Sequence, residues 1–265
     1  MVELKCNNCG AMVPVDHKFC GRCGAATPGP EAAAPVRRTT RPFSELMAPG
    51  RARITVLKGT QDTFPGMTFH LGATHHVLGR HEGELLFEED NLISSPHADF
   101  FYEETSGKLM VEDKGSVNGS YIRLRGPHRL RAGDVFLVGQ QVLRFEYLEV
   151  SERYPAADGT LQYVSPMRPY RFRLIQILPG GHDGQILSSP TNEVIIGRQG
   201  SDMAFDEDVH LSERHARVYL DDKGVMLEDL DSSNGTYVRL RQAQALEHGD
   251  HLFVGQQLLR VEFNP

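Results

Sequence analysis

The sequence predicts an all-β protein, two β-sandwiches in tandem behind a small cysteine-bearing head. Three observations carry that prediction. Short apolar/polar alternations bounded by Gly, Asp and Asn recur along the 265-residue chain, and no stretch of useful length has helical periodicity. The second half of the sequence restates the first. All four cysteines fall within the first 23 residues.

The head is "CNNCGAMVPVDHKFCGRCG", two CxxC pairs, Cys6/Cys9 and Cys20/Cys23, with ten residues between them. A CxxC knuckle turns two thiolates toward one point, and two knuckles complete a tetrahedral shell. Gly10 and Gly24 follow the knuckles as turn residues. A disulfide framework needs an oxidising compartment, and a redox CxxC needs a βαβ setting that is missing here. Residues 1–26 resemble a small zinc ribbon, which implies one structural Zn²⁺ held by Cys6, Cys9, Cys20 and Cys23. Four thiolates leave no open position for catalysis.

Residues 27–52, "TPGPEAAAPVRRTTRPFSELMAPGRA", lack strand alternation and read as a flexible Pro/Ala-rich linker. A second linker covers 150–169. The repeat units are therefore 53–149 and 170–265. In "VIIGRQGSDMAFDEDVHLSERHARVYLDD" and its counterpart "VLGRHEGELLFEEDNLISSPHADFFYEE", Arg80 to Ser94 and Arg198 to Ser212 are both 14 residues apart. Asn118 to Gly139 and Asn234 to Gly255 are both 21, and the copies close on "FLVGQQVLRFEY" and "LFVGQQLLRVEF". Within the second copy Ala216, Val218 and Leu220 alternate with Arg217, Tyr219 and Asp221, the period of a half-buried strand. About 100 residues of such strands are most simply a β-sandwich.

Gly-Arg after a strand, Ser-x-x-His about 14 residues on, an Asn-Gly-Thr/Ser turn and a later Gly-Asp occur twice in this order. In this register each copy resembles the forkhead-associated (FHA) domain, a β-sandwich that binds phosphothreonine peptides through loops at one end. The resemblance covers about 53–148 and 170–263. It implies that Arg198 and Arg80 grip phosphate, that Ser212, Ser233 and Ser94 donate hydroxyls to it, and that Asn234 and Asn118 hold the peptide backbone. Ser95 and Arg214 stand beside the key serines and complete the candidate set, while His97 and His215 are expected to brace the loops. The chemistry is consistent: phosphothreonine carries about −1.5 to −2 charges and three acceptor oxygens, and a guanidinium meets it as a planar fork.

The copies differ. Val117 stands in the first where Ser233 stands in the second, which removes a donor and makes the second copy the expected stronger receptor. Glu213 follows Ser212 and would repel phosphate if it pointed inward, with Arg214 to offset it.

The resulting reading is a noncatalytic phosphothreonine-binding adaptor in serine/threonine kinase signalling, its partners the kinase or its substrates. Thr39 and Thr40 in "RRTTRP" suit a basophilic kinase and, once phosphorylated, would be ligands within the chain or in a neighbour. The alternative is a zinc-ribbon regulator that docks nucleic acid or protein, with the sandwiches as scaffold. Net charge opposes the nucleic-acid version: of the total −7, residues 1–50 hold +2 and the remainder −9. A Ser212/His215 nucleophile–base pair lacks the G-x-S-x-G elbow, and Asp206, Asp208 and His210 fit no standard calcium loop and read as a solvated loop. No apolar run is long enough to span a membrane and no signal-peptide pattern opens the sequence, so a cytoplasmic location is expected.

Overall fold

The computed structural model describes residues 3–14, 19–26, 48, 51–60, 63–148, 155–161, 163 and 171–265. Thr39 and Thr40 lie outside the described residues. The chain divides into two units, Met1–Phe43 and Ser44–Pro265.

In the first unit β1 (Glu3–Lys5) pairs antiparallel with β2 (Met12–Pro14). Each CxxC closes a tight turn, the Gly10 amide donating to the Cys6 carbonyl (2.9 Å) and the Gly24 amide to the Cys20 carbonyl (2.8 Å). Both glycines have positive φ, 72° and 70°, which a side chain would make costly. Cys6, Cys20 and Val13 form a small buried cluster.

Among the described residues the second unit is built of β-strands, with one 3-10 turn at Pro179–Gly181. The first repeat contributes β3 (Ala52–Lys58), β4 (Thr68–Leu71), β5 (His75–Gly79), β6 (Leu85–Leu86), β7 (Ala98–Tyr102), β8 (Leu109–Asp113), β9 (Ser120–Arg123), β10 (His128–Arg129), β11 (Val135–Val138) and β12 (Gln141–Tyr147). The second contributes β13 (Phe172–Ile177), β14 (Asp183–Ser188), β15 (Glu193–Gly197), β16 (Met203–Ala204), β17 (Ala216–Asp221), β18 (Gly224–Asp229), β19 (Thr236–Arg239), β20 (Gln244–Ala245), β21 (His251–Val254) and β22 (Gln257–Phe263). The alternation foreseen in the sequence is present: in β12 Leu143 and Phe145 are buried between half-buried Val142, Arg144 and Glu146.

The pairing crosses between the repeats. One ten-stranded sheet runs β14-β13-β12-β11-β19-β9-β21-β22-β3-β4, and the two five-stranded sheets run β20-β8-β7-β5-β6 and β10-β18-β17-β15-β16. Thus β3 of the first repeat pairs with β22 of the second (Ile54 opposite Val261), and β13 of the second pairs with β12 of the first (Leu174 opposite Phe145). The short strands follow suit, β10 on β18 and β20 on β8. The two repeats have exchanged their C-terminal hairpins. Exchange of an identical element is the hallmark of domain swapping between protomers; here it occurs inside one chain. The units 53–149 and 170–265 are units of sequence; in the sheets each sandwich joins the first part of one repeat to the closing hairpin of the other.

The exchange pivots on β9 and β19, which pair antiparallel with Val238 opposite Ile122. Leu124 and Leu240 extend the pair by donating to the Thr236 and Ser120 carbonyls, each at 2.8 Å. On the inner face Ile122, Phe136, Val138, Leu252 and Val254 join one continuous core with Phe100, Phe145 and Phe172. The outer face carries a second cluster, Tyr121, Leu137 and Tyr237 with Val135, Val142, Phe253 and Leu258 around them. Among the described residues no helix is long and apolar enough to cross a membrane.

Candidate functional site

Three loops of each repeat meet at one rim: the segment after β5 or β15, the segment before β7 or β17, and the turn before β9 or β19. In the second repeat β15 delivers Gly197 and Arg198. A Cβ on Gly197 would lie 1.9 Å from the Glu213 carbonyl oxygen, and one on Gly79 would lie 2.2 Å from that of Glu82. The glycine before each arginine is therefore required by close backbone approach. The Arg198 amide donates to the Ser212 carbonyl (3.0 Å), and the Arg80 amide to that of Ser94 (3.1 Å), which fixes each arginine beside its serine. Arg80 also donates from Nε to the Glu88 carbonyl at 3.1 Å.

The serine hydroxyls are bound as acceptors. Ser212 Oγ takes the Ser233 amide (3.2 Å) and Ser94 Oγ takes the Val117 amide (3.1 Å), so each hydroxyl proton remains to be donated outward. Asn234 donates its side-chain amide to the His210 carbonyl, and Asn118 to the Leu92 carbonyl, both at 2.8 Å, tying the turn to the serine loop. Their carbonyl oxygens stay at an exposed surface.

His215 and His97 are fully buried. His215 Nδ1 accepts the Ser212 amide (3.2 Å) while Nε2 faces the Gly235 carbonyl (3.1 Å); His97 repeats this with Ser94 (3.0 Å) and Gly119 (3.2 Å). This network requires the neutral ring protonated at Nε2. Burial holds both imidazoles below their ordinary value, against the pull of the glycine carbonyls. With both ring nitrogens engaged by backbone, neither histidine faces a serine hydroxyl, and the Ser212/His215 dyad has no geometry.

The remaining candidates sit at the edges. Ser95 is exposed and its Oγ accepts the His81 amide at 3.1 Å. Glu213, Arg214 and Ser233 are exposed, and Val117 presents 83% of its surface.

Several residues that build the site were not singled out by the sequence. Asp229 accepts the Ser232 amide (2.9 Å) and hydroxyl (2.7 Å) and the Thr236 hydroxyl (2.7 Å), shaping the Asn-Gly turn. Asp113 does the same with Ser116 and Ser120. Burial raises the Asp113 carboxyl, but the Ser116 and Ser120 hydrogen bonds outweigh it and hold it low. Asp208 corrects the solvated-loop reading of Asp206–His210: it is buried and accepts the Gln140 amide (2.8 Å), Gln141 Nε2 (2.8 Å) and the His210 amide (3.0 Å). Asp90 likewise takes Gln256 and Gln257. Each aspartate thus ties the serine loop of one repeat to the exchanged hairpin of the other. The signal was the doubled "VGQQ" together with an Asp four residues before each serine.

The profile of the FHA domain family matches residues 76–139 and 194–255. The oxoglutarate dehydrogenase inhibitor of Corynebacterium glutamicum is 31% identical over 104 residues, 38% of this chain and 69% of its own length. The chain belongs to the FHA family. The glycogen accumulation regulator GarA of Mycolicibacterium smegmatis is 31% identical to this FHA protein over 129 residues, 46% of this chain and 80% of its own. A solved FHA domain from a study of phosphothreonine-dependent interactions is 30% identical, covering 31% of this chain and 88% of its own with a TM-score of 0.20.

The cysteine head is a separate candidate centre. The four sulfurs lie within 4.8 Å of one another, with Cys6 to Cys23 at 3.7 Å and Cys9 to Cys20 at 3.6 Å. A tetrahedron with metal–sulfur bonds of about 2.3 Å has edges of about 3.8 Å, so the shell fits a tetrahedral metal ion. The Ala25 amide and then the Cys9 thiol pull Cys23 down to about 6.

Proposed function

We propose that this FHA protein is a noncatalytic adaptor that binds phosphothreonine-bearing segments at two loop rims in serine/threonine kinase signalling. The observation that carries the reading is the rim itself, built twice. An arginine is pinned beside a serine whose hydroxyl proton is unspent, and an asparagine keeps its carbonyl for a peptide N–H. Arg198, Ser212, Ser233 and Asn234 form the stronger site, with Arg214 at its edge. Arg80, Ser94, Ser95 and Asn118 form the second, whose turn carries Val117 in place of the Ser233 hydroxyl. The two relatives are named as a regulator and as an inhibitor of an enzyme, in keeping with control exerted by binding. Phosphorylated Thr39 or Thr40 is a candidate ligand carried by the chain itself.

Cys6, Cys9, Cys20 and Cys23 would hold one Zn²⁺ as a structural ion, because an all-thiolate tetrahedral shell of this size suits that metal and leaves no position for substrate. When bound, the ion supplies folding energy to the head.

The test is fluorescence anisotropy of the whole chain against phosphothreonine, phosphoserine and unmodified peptide libraries. Selective phosphothreonine binding that weakens with Arg198→Ala and is lost when Arg80→Ala is added to it is expected. Equal binding of all three libraries, or none, would refute the reading.

A further inference from the structure

The exchange places unlike surroundings beside the two rims. Arg239 of the second repeat reaches the first rim: its Nη2 donates to the Ser116 carbonyl at 3.3 Å, and a Cβ on Gly119 would lie 2.1 Å from its Nε. The same arginine lines a cleft of about 590 Å³ together with Arg129, Arg131 and Arg241. Among the described residues the single carboxylate in its wall is Asp134, paired with Arg241 and buried. Arg129 and Arg131 are exposed, and their guanidiniums have no ion-pair partner among the described residues. Four guanidiniums thus face one carboxylate, in a chain whose net charge is −7.

The second rim is flanked differently. There Arg123 takes the place of Arg239, its Nε lying 2.2 Å from where a Cβ on Gly235 would be. Arg125 stands for Arg241 and is neutralised by both Asp250 and Glu247. Ala245 and Glu247 occupy the positions of Arg129 and Arg131. At these equivalent positions two arginines meet two carboxylates, so their charges balance.

We propose that the arginine cleft is an extension of the first rim that binds acidic side chains flanking the phosphothreonine, so that the first site selects acidic phosphopeptides and the second does not. This rests on the phosphothreonine reading of the rims. Its physical basis is continuity: Arg239 contacts the turn that carries Val117 and Asn118, and the Leu240 amide is bonded to the Ser120 carbonyl at 2.8 Å. Arg239 therefore belongs to both the cleft wall and the border of the rim turn, so an extended peptide that runs from the rim past Arg239 would meet the cleft. The charge there also offsets what the first rim lacks through Val117.

The experiment uses the full chain carrying Arg198→Ala, which silences the second rim. Two labelled phosphothreonine peptides are compared by anisotropy at about 150 mM salt, where screening acts over roughly 8 Å: one with Glu at flanking positions, the other with Gln. The Glu peptide is expected to bind about fivefold more tightly, a scale set by several exposed charge pairs. Adding Arg129→Gln and Arg131→Gln should abolish that preference and leave the Gln peptide's affinity unchanged. In an Arg80→Ala chain, with the second rim alone, no preference is expected. Equal binding of both peptides to the Arg198→Ala chain, or a preference that survives loss of Arg129 and Arg131, overturns the proposal. If the wild-type chain binds neither phosphopeptide, the phosphothreonine reading itself fails and the extension falls with it.

Discussion

The exchange of hairpins makes a sharp prediction about which residues are energetically coupled. Asp208 is a buried carboxylate whose two strongest contacts, the Gln140 amide and Gln141 Nε2 at 2.8 Å each, come from the other repeat. Had each repeat closed on its own hairpin, the same aspartate would meet Gln256 and Gln257 instead. Hydrogen bonds to a charged group are worth about 1.5–3 kcal/mol each, so Asp208→Ala should cost about 3 kcal/mol or more. For a body of this size that corresponds to a fall in Tm of about 6–12 °C. The deciding quantity is the coupling energy from double-mutant cycles in denaturant unfolding. Asp208→Ala with Gln141→Ala should show about 1.5–3 kcal/mol of coupling, and Asp208→Ala with Gln257→Ala should be additive within about 0.5 kcal/mol. The mirror cycle, Asp90 with Gln257, should couple in the same way. Coupling of Asp208 to Gln257 with none to Gln141 would show that the repeats close separately, and the reasoning built on the crossed sheet would be wrong.

Gly197→Ala should weaken second-rim phosphopeptide binding about tenfold or more, because a Cβ 1.9 Å from the Glu213 carbonyl forces Arg198 and the serine loop apart; unchanged affinity in a chain already carrying Arg80→Ala would contradict this. Val117→Ser should strengthen the first rim about tenfold by restoring a hydroxyl donor to a charged ligand, measured in an Arg198→Ala background. His97 and His215 are neutral in the fold and held below 6.5 by burial, so the unfolded chain takes up protons first as pH falls. Their contribution is intact above pH 6.5 and erodes below it, by up to about 1.4 kcal/mol per histidine per pH unit; urea midpoints of His97→Gln and His215→Gln chains should depend less on pH in that window. Purified protein should contain one zinc per chain by elemental analysis, and Cys9→Ser should lower that content while leaving phosphopeptide affinity unaltered.

The local parts of this fold were legible in the sequence because they are set by nearest neighbours. Alternation in "ARVYLD" places Ala216 and Val218 in the core whatever the strand pairs with. The places of Arg198, Ser212, Ser233 and Asn234 at the loops were legible from spacing, since the turn and the serine loop are also tied to each other within one repeat, as by Asn234 to His210. Asp208 was misread because an acidic run looks solvated until the partner that buries it is known. That partner lies 67 residues away in the other repeat, beyond any window in which periodicity is informative.

The exchange was illegible for a related reason. The closing hairpins read "VFLVGQQVLRFEY" and "HLFVGQQLLRVEF" and present the same alternation, the same turn and the same glutamines to an incoming edge. Either hairpin satisfies the hydrogen bonds of β3 or of β13, so core composition does not discriminate between crossed and uncrossed pairing. What differs is the hinge. When the chain continues outward through Leu124, β9 gains β19 as a neighbour, and the Leu124 and Leu240 amides find the Thr236 and Ser120 carbonyls. Pro127 at the first hinge has a fixed φ and no N–H for a return hairpin. Tyr121 and Tyr237 become buried together with Leu137 on the outer face of the sheet. A cluster of three large side chains and a new strand pair are the gain specific to the crossed form. The same pairing carries Arg239 to the Gly119 turn and Arg123 to the Gly235 turn, so the feature that joins the two sandwiches also differentiates their rims.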